Sequence, residues 1–238
     1  MRTPGGYRRG LLKISGEALS GDRAYGLDHG TVAWIAGEIA RGHRQGHEIG
    51  VVVGGGNILR GVDSESIGVP RMVGDHMGMI ATVLNAMALK WAVIAAGVSA
   101  RAMAAFPVGN FIEVFDLEKA LDYLSGGSVL IFAGGTGNPC FTTDSAASLR
   151  AVEMGAQVMI KATQARGVFD KDPNKCSDAT FFESITPEDV LARRLAVMDA
   201  ASVEILGRKK IPCVVLDLHV EGNIARALAG ERVGTLIA

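Results

Sequence analysis

Short β-rich runs alternate with segments of helical period along almost the whole chain, and this alternation restricts the fold more than any other feature of the sequence. Leu11–Ile14, Ile49–Val53, Val129–Phe132, Gln157–Lys161 and Val214–Leu218 read as strands, with Phe111–Phe115 a further candidate. Between them, residues 29–45 set Val32, Ile35, Ala36, Ile39 and Ala40 on one helical face, and 75–96 reads as a long apolar helix. Asp116 caps a helix carrying Leu117, Ala120, Leu121 and Leu124, and Asp144–Met154 and Glu221–Ala229 are helical as well. Thr186-Pro187-Glu188-Asp189 opens another helix, with a capping hydroxyl, proline at the first helical position and acids in the first turn; Met198–Gly207 continues helically. The irregular stretch of note is Ala165–Ala179. Strands and helices alternating in this way predict an α/β fold, a three-layer αβα sandwich with a mostly parallel central sheet. No linker divides the chain and no period of 20–50 residues repeats, so residues 1–238 read as a single domain. Ligands of such sheets bind beyond the carboxyl ends of the strands, and those loops are where chemistry is sought.

Composition narrows the function classes. The 24 Lys and Arg balance 25 Asp and Glu for a net charge of −1, which speaks against a general nucleic-acid binder. Glycine, at 31 of 238 residues, is about twice its usual share, while proline numbers only 7, a pattern of tight turns and close backbone approach rather than of a flexible linker. Cys140, Cys176 and Cys213 form no CxxC pair, and none of the five histidines stands at a metal-ligand spacing, so neither a disulfide framework nor a protein-held metal is expected. The 75–96 segment contains Asn85 and Lys90, which predicts a buried or interface helix rather than a membrane span. The opening MRTPGGYRRG lacks the apolar stretch and small-residue cleavage site of an export signal, so a cytoplasmic location is expected.

Three strand ends are unusual. Lys13-Ile14-Ser15-Gly16-Glu17 places an ammonium beside free backbone N–H groups, an arrangement that attracts phosphate oxygens; an ordinary turn with a solvated lysine is the alternative. Gly54-Gly55-Gly56-Asn57 lets the backbone touch a ligand with no Cβ between, or else packs a helix closely on its strand. The loop matches neither the dinucleotide fingerprint, since residue 59 is leucine, nor a P-loop, since no Gly-Lys pair occurs. Arg60 lies one turn further on. Gly134–Pro139, running into Cys140, Phe141, Thr142, Thr143 and Asp144, combines hydroxyls, an amide and a carboxylate at a helix N-terminus, where the dipole favours anions; Asp144 as a plain N-cap is the alternative. Lys161 ends a strand, followed by Ala162-Thr163, and Asp75 stands where it would cap the long helix. Two lysines, phosphate-grade glycine loops and an acid able to orient the lysines describe phosphoryl transfer, in which catalysis is mainly positioning and charge neutralisation. No general base is evident, and a nucleophile that is already an anion needs none.

LLKISGEAL, VVVGGGNILRG, VGDHMGMIATVLNAMAL, GTGNPCFTTDSAASLRAVE, KATQARGVFDKDP and GERVGTLIA together resemble the bacterial UMP kinases (uridylate kinases) of the amino-acid kinase family, in one register from about residue 8 to the C-terminus. The resemblance implies an αβα sandwich that transfers the γ-phosphoryl group of ATP to UMP in pyrimidine nucleotide synthesis. Mg²⁺ would be carried by the nucleotide phosphates and no metal held by the protein. It also implies a homohexamer built of dimers, with GTP as activator and UTP as inhibitor; the apolar character of the 75–96 helix predicts that it packs against its copy in a two-fold dimer, burial within one subunit being the alternative. Carried over by position, Lys13, Asp144 and Lys161 are catalytic. Lys13, Ile14, Ser15, Gly16, Gly56, Arg60, Thr163, Phe169 and Asp172 bind ATP. Gly55, Asp75, Thr136, Gly137, Asn138, Pro139, Cys140, Phe141, Thr142 and Thr143 bind UMP. Gly21, Asp22, Arg23, Ala24, Tyr25 and Gly26 fall where effector-responsive residues lie. The chain departs from the family pattern at Gln164-Ala165-Arg166, where Val-Asp is usual before the glycine, at Cys140, where an aromatic is common, and at Ala24-Tyr25, which replaces Gly-Phe. Two rival readings remain: a kinase of the same fold acting on a carboxylate or carbamate, and a non-catalytic nucleotide sensor.

Overall fold

A computed structural model describes residues 6–59, 66, 68–173, 175–176 and 178–238. The strands are β1 (Arg9–Ile14), β2 (Glu48–Val53), β3 (Ala100–Ala104), β4 (Glu113–Val114), β5 (Val129–Ala133), β6 (Val158–Thr163), β7 (Val168–Phe169), β8 (Phe181–Phe182), β9 (Ser184–Ile185), β10 (Cys213–Asp217) and β11 (Thr235–Ile237). The helices are α1 (His29–Arg44), α2 (Arg71–Ala95), α3 (Leu117–Ser125), α4 (Thr143–Glu153), α5 (Pro187–Ala192), α6 (Ala200–Lys209) and α7 (Asn223–Leu228). A nine-stranded sheet runs β4-β3-β5-β2-β1-β6-β10-β11-β9, and β7 and β8 form a separate antiparallel hairpin. All neighbours in the large sheet are parallel except β10 and β11.

The central strands are predominantly apolar because helices cover both faces. Leu12, Ile14, Val51, Val53, Ile160 and Ala162 face a core shared with Ile35 and Ile39 of α1, Leu89 and Val93 of α2, and Ile224 and Leu228 of α7. Leu11, Val52 and Met159 face the other core, with Leu124 of α3, Ala147 and Ala151 of α4, Val190 of α5 and Leu206 of α6. Strand alternation therefore directs Lys13 and Lys161 to the α3–α6 side. The αβα sandwich expected from the sequence is the fold observed.

Several boundaries differ. The long helix starts at Arg71, after Pro70, so Asp75 does not cap it but lies within the second turn. Asp144 is not the cap of α4 either: Thr142 occupies that position and its hydroxyl accepts the N–H groups of Asp144 and Ser145. Asp116 and Thr186 do cap their helices, accepting from the N–H of Lys119 and of Asp189. Of the expected strand over Phe111–Phe115, Glu113–Val114 form β4 while Ile112 makes an isolated bridge to Val108, and the neighbouring β3, ARAMA, lacks the β-branched run that marks a buried strand. Among the described residues, α2 is the one helix long and apolar enough to cross a membrane. One of its sides is occupied in the core by Val83, Ala86, Leu89 and Val93, while Met77, Ile80, Leu84 and Trp91 are exposed.

Candidate active site

β1 and β6 are adjacent and parallel, and their register sets Lys13 directly beside Lys161. Both chains leave the sheet on the same face, toward the first turn of α4. There Asp144 receives them: Lys13 Nζ lies 2.8 Å from Oδ1 and Lys161 Nζ 2.6 Å from Oδ2. All three residues are buried. Lys161 Nζ donates both to Oδ2 and to the carbonyl of Val197, just before α6. Lys13 Nζ is held on Oδ1 as a close ion pair, so the two oxygens of one carboxylate each face a different ammonium. Burial opposes the charge on Asp144, but the charges of Lys13 and Lys161 outweigh it and hold the carboxyl below its usual 3.8. Lys161 is lowered from 10.5, first by burial and further by the charge of Lys13, with Asp144 opposing.

The glycine loops meet in front of this cluster. A Cβ on Gly16 would lie 2.5 Å from the N of Gly56, and one on Gly55 would lie 2.6 Å from the carbonyl of Gly78 in α2. Glycine at 16 and 55 is therefore what lets the β1 loop, the β2 loop and α2 converge. Ile14 contributes its backbone, its carbonyl accepting the N–H of Gly54 at 2.9 Å, while its side chain is core.

Beside them opens a cleft of about 450 Å³ lined by Gly55, Gly56, Asp75, Thr136, Asn138, Phe141, Thr142 and Thr143. The structure thus gathers eight residues marked by the sequence from three separate stretches. Glu17, from the loop after β1, lines it too, as do Arg71, Met79 and Thr82, which were not singled out from the sequence. Asp75 accepts from Arg71 Nε at 3.0 Å on Oδ1 and from the N–H of Cys140 at 3.0 Å on Oδ2. Burial pushes its carboxyl up, but the hydrogen bonds from Arg71 and Cys140 prevail and leave it below 3.8. Cys140 holds a left-handed φ of 70°, which turns its N–H to Asp75. Gly137 closes a turn onto the carbonyl of Gly134 at 2.9 Å, and Gly137, Pro139 and Cys140 lie in the loop without lining the cleft.

The expected donor side is more dispersed. Thr163 ends β6 and donates to the carbonyl of Ala165 at 2.9 Å. Phe169 stacks edge-on against Phe181, with centroids 5.4 Å apart, and Asp172 lies 3.6 Å from Lys175. None of the three lines the cleft. Arg166, at the position of the missing acid, lies 3.9 Å over the Phe181 ring. Arg60 is outside the described residues. Gly21, Asp22 and Arg23 border a second hollow of about 600 Å³ on the α1 side of the sheet, with Trp34 and His219. Ala24 and Tyr25 are exposed beside it, and Gly26 donates its N–H to the carbonyl of Asn57 at 2.7 Å.

Sequence reasoning also missed Asp199. It caps α6 through the N–H of Ser202 at 2.8 Å, and its carboxylate accepts from the hydroxyl of Thr142 and from the N–H and hydroxyl of Ser145, at 3.2 and 3.0 Å. The expected helix over Met198–Gly207 hid this residue, whose signal is the Asp-x-x-Ser spacing of an N-cap. Among the described residues no group of three or more His, Cys, Asp or Glu could hold a metal ion, and the buried carboxylate of Asp144 is committed to two ammonium groups.

Residues 8–217 match the family model of the amino acid kinase family. The chain is 48% identical over 232 residues to a uridylate kinase of Paramagnetospirillum magneticum, covering 98% of this chain and 97% of that one. It is 43% identical over 231 residues to a uridylate kinase of Bacteroides thetaiotaomicron, covering 97% and 98%. Among solved structures it is similar to the UMP kinase of Bacillus anthracis, with a TM-score of 0.94, 32% identity and coverage of 98% of this chain and 96% of that one. The UMP kinase from Ureaplasma parvum gives a TM-score of 0.91 at 29% identity, covering 97% and 98%. The resemblance drawn from the motifs is thus borne out over the full length, and the chain belongs to the amino acid kinase family.

Proposed function

We propose that this chain is a UMP kinase, transferring the γ-phosphoryl group of ATP to UMP to give UDP and ADP. The observation that carries the reading is the Lys13–Asp144–Lys161 cluster set beside a cleft built from the acceptor-loop residues. Full-length similarity to uridylate kinases supports it.

An oxygen of the UMP phosphate forms a bond to the γ-phosphorus while the bond from that phosphorus to the β–γ bridging oxygen breaks, and the electron pair leaves with ADP. The nucleophile is already an anion, so no base is required. The obstacle is repulsion between donor and acceptor charges, and the two buried ammonium groups oppose it where little water screens them. Asp144 keeps the lysines in place and offsets the cost of burying them. The substrate is magnesium–ATP, the metal held by phosphate oxygens, in keeping with the reluctance of Mg²⁺ to shed its waters.

In this reading Gly55, Asp75 and residues 136–143 seat UMP. Ser15, Gly16 and Gly56 face the donor phosphates, with Ile14 lending its backbone, and Arg60 is a further ATP-binding residue. Thr163, Phe169 and Asp172 line the nucleoside end of ATP. Residues 21–26 respond to GTP and UTP. The exposed row of Met77, Ile80, Leu84 and Trp91 on α2 pairs with its copy about a two-fold axis, and dimers assemble into a hexamer. The enzyme works in the cytoplasm, where its substrates are.

A coupled assay with ATP and Mg²⁺ on UMP, CMP, TMP and small carboxylates tests the reading. UMP is expected to be turned over in strong preference to the rest. Turnover of a carboxylate but not UMP would move the chain to another kinase class, and tight nucleotide binding without transfer would make it a sensor.

A further inference from the structure

We propose that Asn57 and Asn85 form a positioning pair that holds the Gly54–Gly56 loop between donor and acceptor phosphates. The proposal rests on the kinase reading for its kinetic consequences.

Asn85 is wholly buried in the apolar helix α2, and Asn57, the residue after the triple glycine, is buried against it. Their amides bond reciprocally: Asn57 Nδ2 donates to Asn85 Oδ1 at 3.1 Å, and Asn85 Nδ2 donates to Asn57 Oδ1 at 2.6 Å. Each amide has a second proton. That of Asn85 goes to the carbonyl of Gly54 at 2.7 Å, and that of Asn57 to the carbonyl of Gly26 at 2.7 Å. All the donors of the pair are used, and the two backbone carbonyls fix which way each amide faces. The N–H of Gly26 returns to the carbonyl of Asn57 at 2.7 Å, so Gly26 is gripped at both its peptide groups.

A buried polar network of this kind is stable only when complete, since removal of one member strands the others without water. In a cleft where Gly16 and Gly56 already touch, nothing else ties Gly54 to α2 by a side chain among the described residues. The pair therefore sets three segments relative to one another: the loop after β2, the helix with the exposed face, and the end of the 21–26 loop. A small shift of the 54–56 backbone moves the phosphate seats of both substrates at once. The penalty falls on alignment for transfer more than on binding, and an error near 1 Å can lower a rate by about 100-fold.

The test uses the full chain with Asn85→Leu and Asn85→Asp, with folded fraction and melting temperature measured in each. For N85L, kcat with UMP and ATP, normalised to folded protein, is expected to fall at least about tenfold while both KM values stay within about threefold. For N85D, a neutral carboxyl still offers a proton to the carbonyl of Gly54, whereas the ionised form turns negative charge on it. Its activity relative to the parent chain is therefore expected to decline as pH rises, with recovery at low pH. A kcat of N85L within twofold of the parent, or an N85D profile parallel to the parent's, would overturn the proposal.

Backbone amide shifts of Gly26 and Gly54 in N85L give a readout independent of turnover. Joint displacement of both supports the pair, and changes confined to α2 overturn it. If the unsubstituted chain fails to phosphorylate UMP, the kinase reading falls, and the pair is judged on those shifts.

Discussion

Lys13 and Lys161 are register partners on adjacent parallel strands, and their ammonium groups close on opposite oxygens of one carboxylate, Asp144. Two like charges buried side by side repel each other, and the carboxylate between them makes the cluster tolerable. Replacing it removes the only negative charge in the arrangement. Asp144→Asn is expected to lower unfolding free energy by about 3 kcal/mol, as when one partner of a buried ion pair is removed, and to cut kcat on the order of 100-fold. Urea unfolding and steady-state kinetics check both. An unchanged urea midpoint would mean the lysines do not depend on Asp144.

The pH dependence follows from the same cluster. Asp144 titrates below 3.8 in the fold, so its stabilising contribution is complete above 3.8 and is lost as pH falls through the lower folded value. The stability gap between the parent chain and Asp144→Asn should therefore narrow in acid below pH 3.8. Lys161 is lowered from 10.5, so between its folded value and 10.5 the unfolded chain binds more protons and its contribution to stability rises with pH. Activity moves the other way, because the lysine loses its charge there. The alkaline limb of kcat/KM, which reports the free enzyme, is expected to have its midpoint below 10.5 in a pH–rate profile; a midpoint at or above that value would contradict the burial of a charged Lys161.

Asp199 ties the acceptor loop to α6. In Asp199→Ala, Thr142 and Ser145 lose their shared acceptor and α6 loses its cap. The expected cost is about 1 kcal/mol for the cap, together with a rise in KM for UMP of about tenfold from the lost bonds to a charged group. Thermal melts and UMP titrations at saturating ATP read the two effects, and an unaltered KM would separate Asp199 from the acceptor site.

The outer row of α2 yields a prediction about assembly. Ile80 and Leu84 are more than half exposed, at 51% and 53%, on a helix whose opposite side is core. Ile80→Glu is expected to convert an oligomer to monomers by light scattering at micromolar concentration, whereas a parent chain that is itself monomeric would end the dimer reading.

The sequence disclosed the parts of this molecule that local pattern determines. Strands buried on both faces are uninterrupted apolar runs, and a lysine at the end of such a run, as at 13 and 161, is conspicuous because it breaks the pattern where ligands bind. What escaped was set by contacts between distant segments. β3, Ala-Arg-Ala-Met-Ala, has no β-branched residue, and its strand conformation comes from lying between β4 and β5. Asp75 sits inside a helix that begins at Arg71, a start marked only by Pro70 and no capping side chain. Asn57 and Asn85 each stand out in their own segments, but that they pair emerges only when α2 packs against the loop after β2. Thr142 displaced Asp144 as cap, and that exchange frees the carboxylate for the lysines.

The most direct test of the central claim is the single-turnover transfer of labelled γ-phosphate from ATP to UMP, at saturation in both substrates, in the parent chain and in Lys13→Ala. The account predicts labelled UDP from the parent chain and a rate lower by on the order of 100-fold or more in the variant, as for loss of a preorganised charge at the transferring group. Equal rates in the two proteins would contradict it.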